Sequence, residues 1–174
     1  TVELKIIPME GSFALGPFGF QFVTLAHSIL EMSACVITTP YGKIFHTGDW
    51  KLDEQPVIGK PSTAEQLTAI GDEGVLALVC DSTNAFNADD SGSEGSVKAD
   101  LLKSVKAAKG RVLLTTFASN AARLQTMGEV ARESGRTLCF AGRSLHRIID
   151  AAQANGYLKD MPKTVDMDAV DDLP

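Results

Sequence analysis

At 174 residues, 44% of them hydrophobic and 22% charged, the chain can bury a core in one or two domains and has an ordinary globular balance. No run approaches the roughly 20 apolar residues needed to span a bilayer, and 1-TVELKIIPMEG-11 lacks the basic start and long apolar stretch of a signal peptide. A net charge of −6 argues against a generally basic nucleic-acid surface, but five of the 22 acidic residues lie in 160-DMPKTVDMDAVDDLP-174 with only Lys163 opposing them, so bulk charge decides little.

In chain order, the first part reads as strand-rich. Alternating or continuous apolar runs at 2-VELKII-7, 20-FQFVTLA-26, 34-ACVITT-39 and 43-KIFHTG-48 are punctuated by Gly and Pro, and Pro40-Tyr41-Gly42 reads as a hairpin turn. A short helix over 61-PSTAEQLTAIG-71 and a fully buried strand, 75-VLALVC-80, follow. After the turn-rich stretch at 84–90 the rhythm changes. The spacing of Val97, Leu101, Val105 and Ala108 predicts a helix over 94–108, with Ser91 and Glu94 as a capping box. Strand 111-RVLLTTF-117, a helix over 120–134, strand 137-TLCFA-141 and a helix over 144–155 complete the pattern, with Gly135 and Gly156 as helix stops. Short apolar strands alternating with helices imply parallel βαβ units. The expected fold class is α/β, with a boundary near 84–90.

Cys35, Cys80 and Cys139 are widely spaced, each in an apolar, strand-like setting, and show no CxxC pattern. They read as small buried residues in a reducing cytoplasm.

Candidate functional residues lie at strand ends. His27, in 26-AHSILEM-32, and Asp49, in 47-TGDWK-51, follow strand-like runs. A neutral imidazole and a carboxylate from separate strand ends suit one metal, and equally suit capping and turn roles. His46 lies inside a strand and His146 in a helix's first turn, where neither reads as a ligand. Asp81 closes VLALVC, either as a turn carboxylate or as a polar group beside a metal site. The junctions 81-DSTN-84, 117-FASN-120 and 142-GRS-144 place Ser and Asn where helices begin. Such residues cap free N–H groups, and the same geometry accepts phosphate oxygens, with Arg123 and Arg143 as charged partners. Neither a Walker P-loop nor GxGxxG is present.

The combination GPFGFQFVTLAHSI, TPYGKIFHTGDWK, GVLALVCDSTN, SGSE, RVLLTTFASNAARLQ and FAGRSLHRIIDAAQANGYL closely resembles bacterial ribonuclease J, in the β-CASP subfamily of the metallo-β-lactamase superfamily. The resemblance runs through essentially the whole chain. It implies residues 1–85 as the second portion of a metallo-β-lactamase domain and 86–174 as most of a β-CASP domain with a Rossmann-like parallel region. It also implies a two-zinc hydrolase that cuts RNA internally and degrades it from the 5′ end, acting in the cytoplasm as a homo-oligomer. His27 and Asp49 match metal-ligand motifs, Asp49 as the carboxylate bridging two zinc ions. Asp49 and Asp81 match residues of the catalytic centre. Ser119, Asn120, Arg143 and Ser144 match segments facing the RNA. The family's HxHxDH motif and its later histidine motifs are absent, and HSILEM stands where the family usually has Pro after HSI. The expectation is an internal fragment that binds zinc weakly and is inactive alone. Other readings are a β-CASP nuclease acting on DNA or different RNA ends, and a non-catalytic nucleic-acid-binding or assembly module.

Overall fold

The computed structural model describes residues 2–89 and 92–173, so Ser91, the expected capping partner of Glu94, lies outside the described residues. The fold is α/β, in two compact units: Thr1–His27, Glu31–Glu54 and Gly59–Ser91 form one, and Ser28–Leu30, Gln55–Ile58 and Gly92–Pro174 the other.

The first unit is built on a five-stranded sheet in the order β1-β2-β3-β4-β5, with β1 Ser12–Leu15, β2 Phe18–Thr24, β3 Ser33–Thr39, β4 Gly42–His46 and β5 Ala77–Val79. The first three pairings are antiparallel and β4 with β5 is parallel. β2, β4 and β5 therefore run in the same direction. Helix α1, Ala64–Asp72, is capped by Thr63, whose hydroxyl accepts the Gln66 N–H. Leu67 and Ile70, three residues apart on one helical face, pack with Trp50 and Val75 against buried Val23, Leu25, Ala34, Val36 and Phe45.

The second unit holds α2 Glu94–Ala107, α3 Ala121–Ser134 and α4 Arg143–Ala154, with a two-stranded parallel pair, β6 Leu138–Cys139 and β7 Thr164–Val165. Its core is Leu124, Met127, Phe140, Ala152 and Leu158. Ser93 caps α2, accepting the Gly95 N–H at 3.2 Å.

Three expected strands need correction. Residues 2–7 and 111–117 form no ladder, and Val2, Leu4, Ile6 and Leu113 are exposed. Alternation reports which face a strand could bury, but a ladder also needs a neighbour, and among the described residues neither segment has one. The 75–80 run was expected to be buried. It forms only the three-residue edge strand β5, whose Leu78 and Val79 are exposed because, among the described residues, β4 alone pairs with it. Cys80 follows it and is exposed, while Cys35 and Cys139 are half-buried and all three are free thiols. Burial raises the Cys35 thiol above its ordinary value, against a smaller lowering by its backbone contact with Gln21.

Candidate functional site

The shared direction of β2, β4 and β5 has a direct chemical consequence. Their carboxyl ends lead, in order, to His27, Asp49 and Asp81. Backbone and side-chain bonds then tie the three segments together. The Lys51 N–H donates to the Ala26 carbonyl at 3.0 Å, joining the turn of Asp49 to the residue before His27. The Ala26 N–H donates to the buried Ser62 hydroxyl at 2.5 Å. The Thr47 N–H donates to the Val79 carbonyl at 3.0 Å, and the Asp81 N–H donates to the Thr47 hydroxyl at 3.1 Å. The Trp50 indole N–H reaches the Asp81 carbonyl at 3.2 Å.

Local sequence explains the turn that carries Asp49. Gly48 sits at φ +62°, where an L side chain is strained, and a Cβ there would meet Met32 at 2.5 Å. On the far side, Lys51 ion-pairs at 3.2 Å with the buried Asp53 carboxylate. Asp49 is exposed, His27 half-buried and Asp81 half-buried.

Asp81 does form an Asx turn: its Oδ1 accepts the Thr83 hydroxyl at 2.5 Å and the Thr83 N–H at 3.0 Å. The Thr83 hydroxyl bond, then the Thr83 N–H, hold its carboxyl below the usual aspartate range, opposed by slight desolvation and helped by the charge of nearby His27. The turn role and the place beside the candidate ligands thus coexist.

An imidazole nitrogen and carboxylate oxygens are donors of the kind zinc takes, yet a zinc ion needs about four ligands. Among the described residues, no group of three or more His, Cys, Asp or Glu side chains could hold a metal ion. The donors are right in kind and too few.

The candidate phosphate contacts belong to the second unit. Asn120 caps α3, its Oδ1 accepting the Arg123 N–H at 2.8 Å, and Ser119 is exposed one residue before it. The Arg123 guanidinium forms a forked pair with Glu94 through Nε and Nη2. Helix α4 begins at Arg143, one residue earlier than expected, after Gly142, which supplies no side-chain cap. Arg143 and Ser144 are exposed in its first turn. His46 Nδ1 accepts the Gly48 N–H at 3.1 Å, and His146 Nε2 lies 3.0 Å from the Phe140 carbonyl, so both have local partners.

The sequence reading missed Thr47, Ser62 and Thr83, and took Trp50 only as part of a motif. Their hydroxyls and indole N–H bond across 31 to 36 positions or within one turn, separations that no spacing rule flags.

Residues 109–174 match the family model described as ribonuclease J, beta-CASP domain. The chain is 41% identical to ribonuclease J of Sinorhizobium meliloti over 158 residues, which is 91% of this chain and 28% of that one. It is 39% identical to ribonuclease J of Thermus thermophilus over 173 residues, 99% of this chain and 30% of that one. It is 42% identical to ribonuclease J 1 of Streptococcus pyogenes over 142 residues, 82% of this chain and 25% of that one. The chain therefore spans less than a third of the length of these curated relatives. A crystallised protein of unknown function from Enterococcus faecalis has a similar fold, with a TM-score of 0.63 at 15% identity over 97% of this chain and 42% of that one. Along most of its length, then, the chain is similar to ribonuclease J, and residues 109–174 match that family's beta-CASP domain.

Proposed function

We propose that this chain contributes part of the active centre of a metal-dependent ribonuclease that hydrolyses RNA phosphodiester bonds, both internally and from the 5′ end. The observation that supports the reading is that His27, Asp49 and Asp81 follow the carboxyl ends of three co-directional strands whose end segments are hydrogen-bonded to one another. It is the arrangement expected of residues 1–85 as a portion of a metallo-β-lactamase domain, with 86–174 as beta-CASP sequence.

In this reading His27 and Asp49 are two of the protein ligands to a pair of zinc ions, and Asp81 stands beside them. When bound, such ions activate water and offset phosphodiester charge. The chain's own residues orient the donors: Lys51 and Ser62 fix the backbone before His27, and Gly48 gives Asp49 its turn. Arg143 and Ser144, and Ser119 beside the Asn120 cap, meet RNA phosphates at two helix starts. The enzyme works as a cytoplasmic homo-oligomer. No helix among the described residues is long and apolar enough to cross a membrane.

The test uses a full-length ribonuclease J carrying this sequence, with 5′-monophosphorylated RNA and DNA of the same sequence. RNA is degraded, and His27→Ala or Asp49→Asn lowers kcat by more than the roughly 10–100-fold typical of substitutions outside the ligand set. Degradation of DNA in preference to RNA, or full activity of both variants, overturns the reading.

A further inference from the structure

Thr47 and Trp50 flank Asp49, and both bond to the main chain of Asp81. The Asp81 N–H donates to Thr47 Oγ1 at 3.1 Å, and the Trp50 Nε1–H donates to the Asp81 carbonyl at 3.2 Å. One residue's peptide groups are thus held on both sides by the turn that carries the other carboxylate. Neither anchor is loose. Thr47 is only 3% exposed, and its hydroxyl also donates to the Gly48 carbonyl at 2.8 Å. The Trp50 ring packs against the core of Val23, Leu25, Ala34, Val36 and Phe45.

The Thr47 hydroxyl thus uses its single donor on Gly48 and one of its two acceptor positions on Asp81. Asp81 itself lies past a strand of only three residues, with a single neighbour, which on its own would hold it poorly. Its Oδ1 accepts from Thr83, while the Asp49 turn holds its backbone.

We propose that Thr47 and Trp50 are positioning residues that lock Asp81 to the Asp49 turn, so that the two carboxylates keep one fixed relation at the site. This rests on the reading of Asp49 and Asp81 as parts of a hydrolytic metal centre. Residues that orient ligands from outside the ligand set set metal affinity as well as rate.

The test compares Thr47→Val, Thr47→Ser, Trp50→Phe and wild type in a full-length ribonuclease J carrying this sequence. Trp50→Phe keeps the aromatic packing and removes one N–H, while Thr47→Ser keeps the hydroxyl. Zinc affinity is read by competition with a chelating dye, exchange of the Asp81 amide by hydrogen–deuterium exchange, and kcat and KM on RNA. Thr47→Val and Trp50→Phe each weaken zinc affinity and lower kcat by roughly 10-fold, with KM for RNA little changed. Thr47→Val alone speeds Asp81 exchange, and Thr47→Ser restores wild-type behaviour throughout. Unchanged zinc affinity in both variants, or an equal loss in Thr47→Ser, overturns the positioning role. Wild-type protein inactive on RNA overturns the hydrolase reading instead, leaving zinc affinity and exchange to decide the locking of Asp81. If Thr47→Val fails to fold, Trp50→Phe decides by the same readouts.

Discussion

The Asp81 carboxylate shows how a single hydroxyl sets the acidity of a candidate site. Its value is lowered first by the Thr83 hydroxyl and then by the Thr83 N–H, both of which favour the ionised form. Because the folded value lies below the ordinary ~3.9 of an aspartate, these bonds add stability that is fully present above that value. That stability is lost as pH falls through the lowered one. Thr83→Val removes the larger contribution and leaves the N–H, so the Asp81 titration, followed by NMR of its carboxyl carbon, moves up towards the ordinary aspartate range. An unmoved titration would mean the N–H alone sets it. At Asn120 the side-chain oxygen is already used by the Arg123 N–H, which makes capping its structural role. Asn120→Ala should cost about 1 kcal/mol in denaturant unfolding, and Asn120→Ser much less. Equal losses in the two variants would show that the side chain acts other than as a cap.

Among the elements, helices were the more legible in the sequence. Each of α1 to α4 falls within two or three residues of its expected span, because the 3.6-residue spacing and end signals such as Asn120 and Gly135 act locally. The cap of α2 was less legible: the reading did not single out Ser93. Strands were harder, since a ladder depends on a remote partner. β2, β3 and β4 appear where alternation placed them, whereas β1 was missed because SFAL is short and its register follows from the Gly16–Pro17 turn that pairs Leu15 with Phe18. The 111–117 segment carries the strand pattern without a ladder. Helix α3 is the best-buried element, with Leu124 fully enclosed among Met127, Phe140, Ala152 and Leu158. Leu124→Ala should therefore destabilise by about 2–5 kcal/mol, read as a lower urea midpoint. A loss below about 1 kcal/mol would mean the site collapses onto the missing atoms. At the end of the same helix Gly135 holds φ +67°, so Gly135→Ala should cost about 1 kcal/mol by the same measurement.

At the scale of the whole molecule, the three residues picked from strand ends were legible as candidates, but their placement at one end of the sheet was not. It follows from β2, β4 and β5 sharing a direction, a property of pairing that no single segment carries. Structural zinc sites are closed by about four protein ligands, and even catalytic sites use three. Here His27 and Asp49 supply one nitrogen and one carboxylate, and the Asp81 carboxylate is turned to Thr83. No larger donor group exists among the described residues. On the proposed reading, two such donors, one of them exposed, would have to offset the cost of stripping water from the ion and ordering both side chains. The 174-residue chain should accordingly take up zinc only weakly in calorimetry and retain less than one equivalent after gel filtration, with His27→Ala lowering even that. It should leave RNA intact. Tight one-to-one zinc binding that survives gel filtration would show that the chain closes a site by itself, and would require ligands beyond His27 and Asp49.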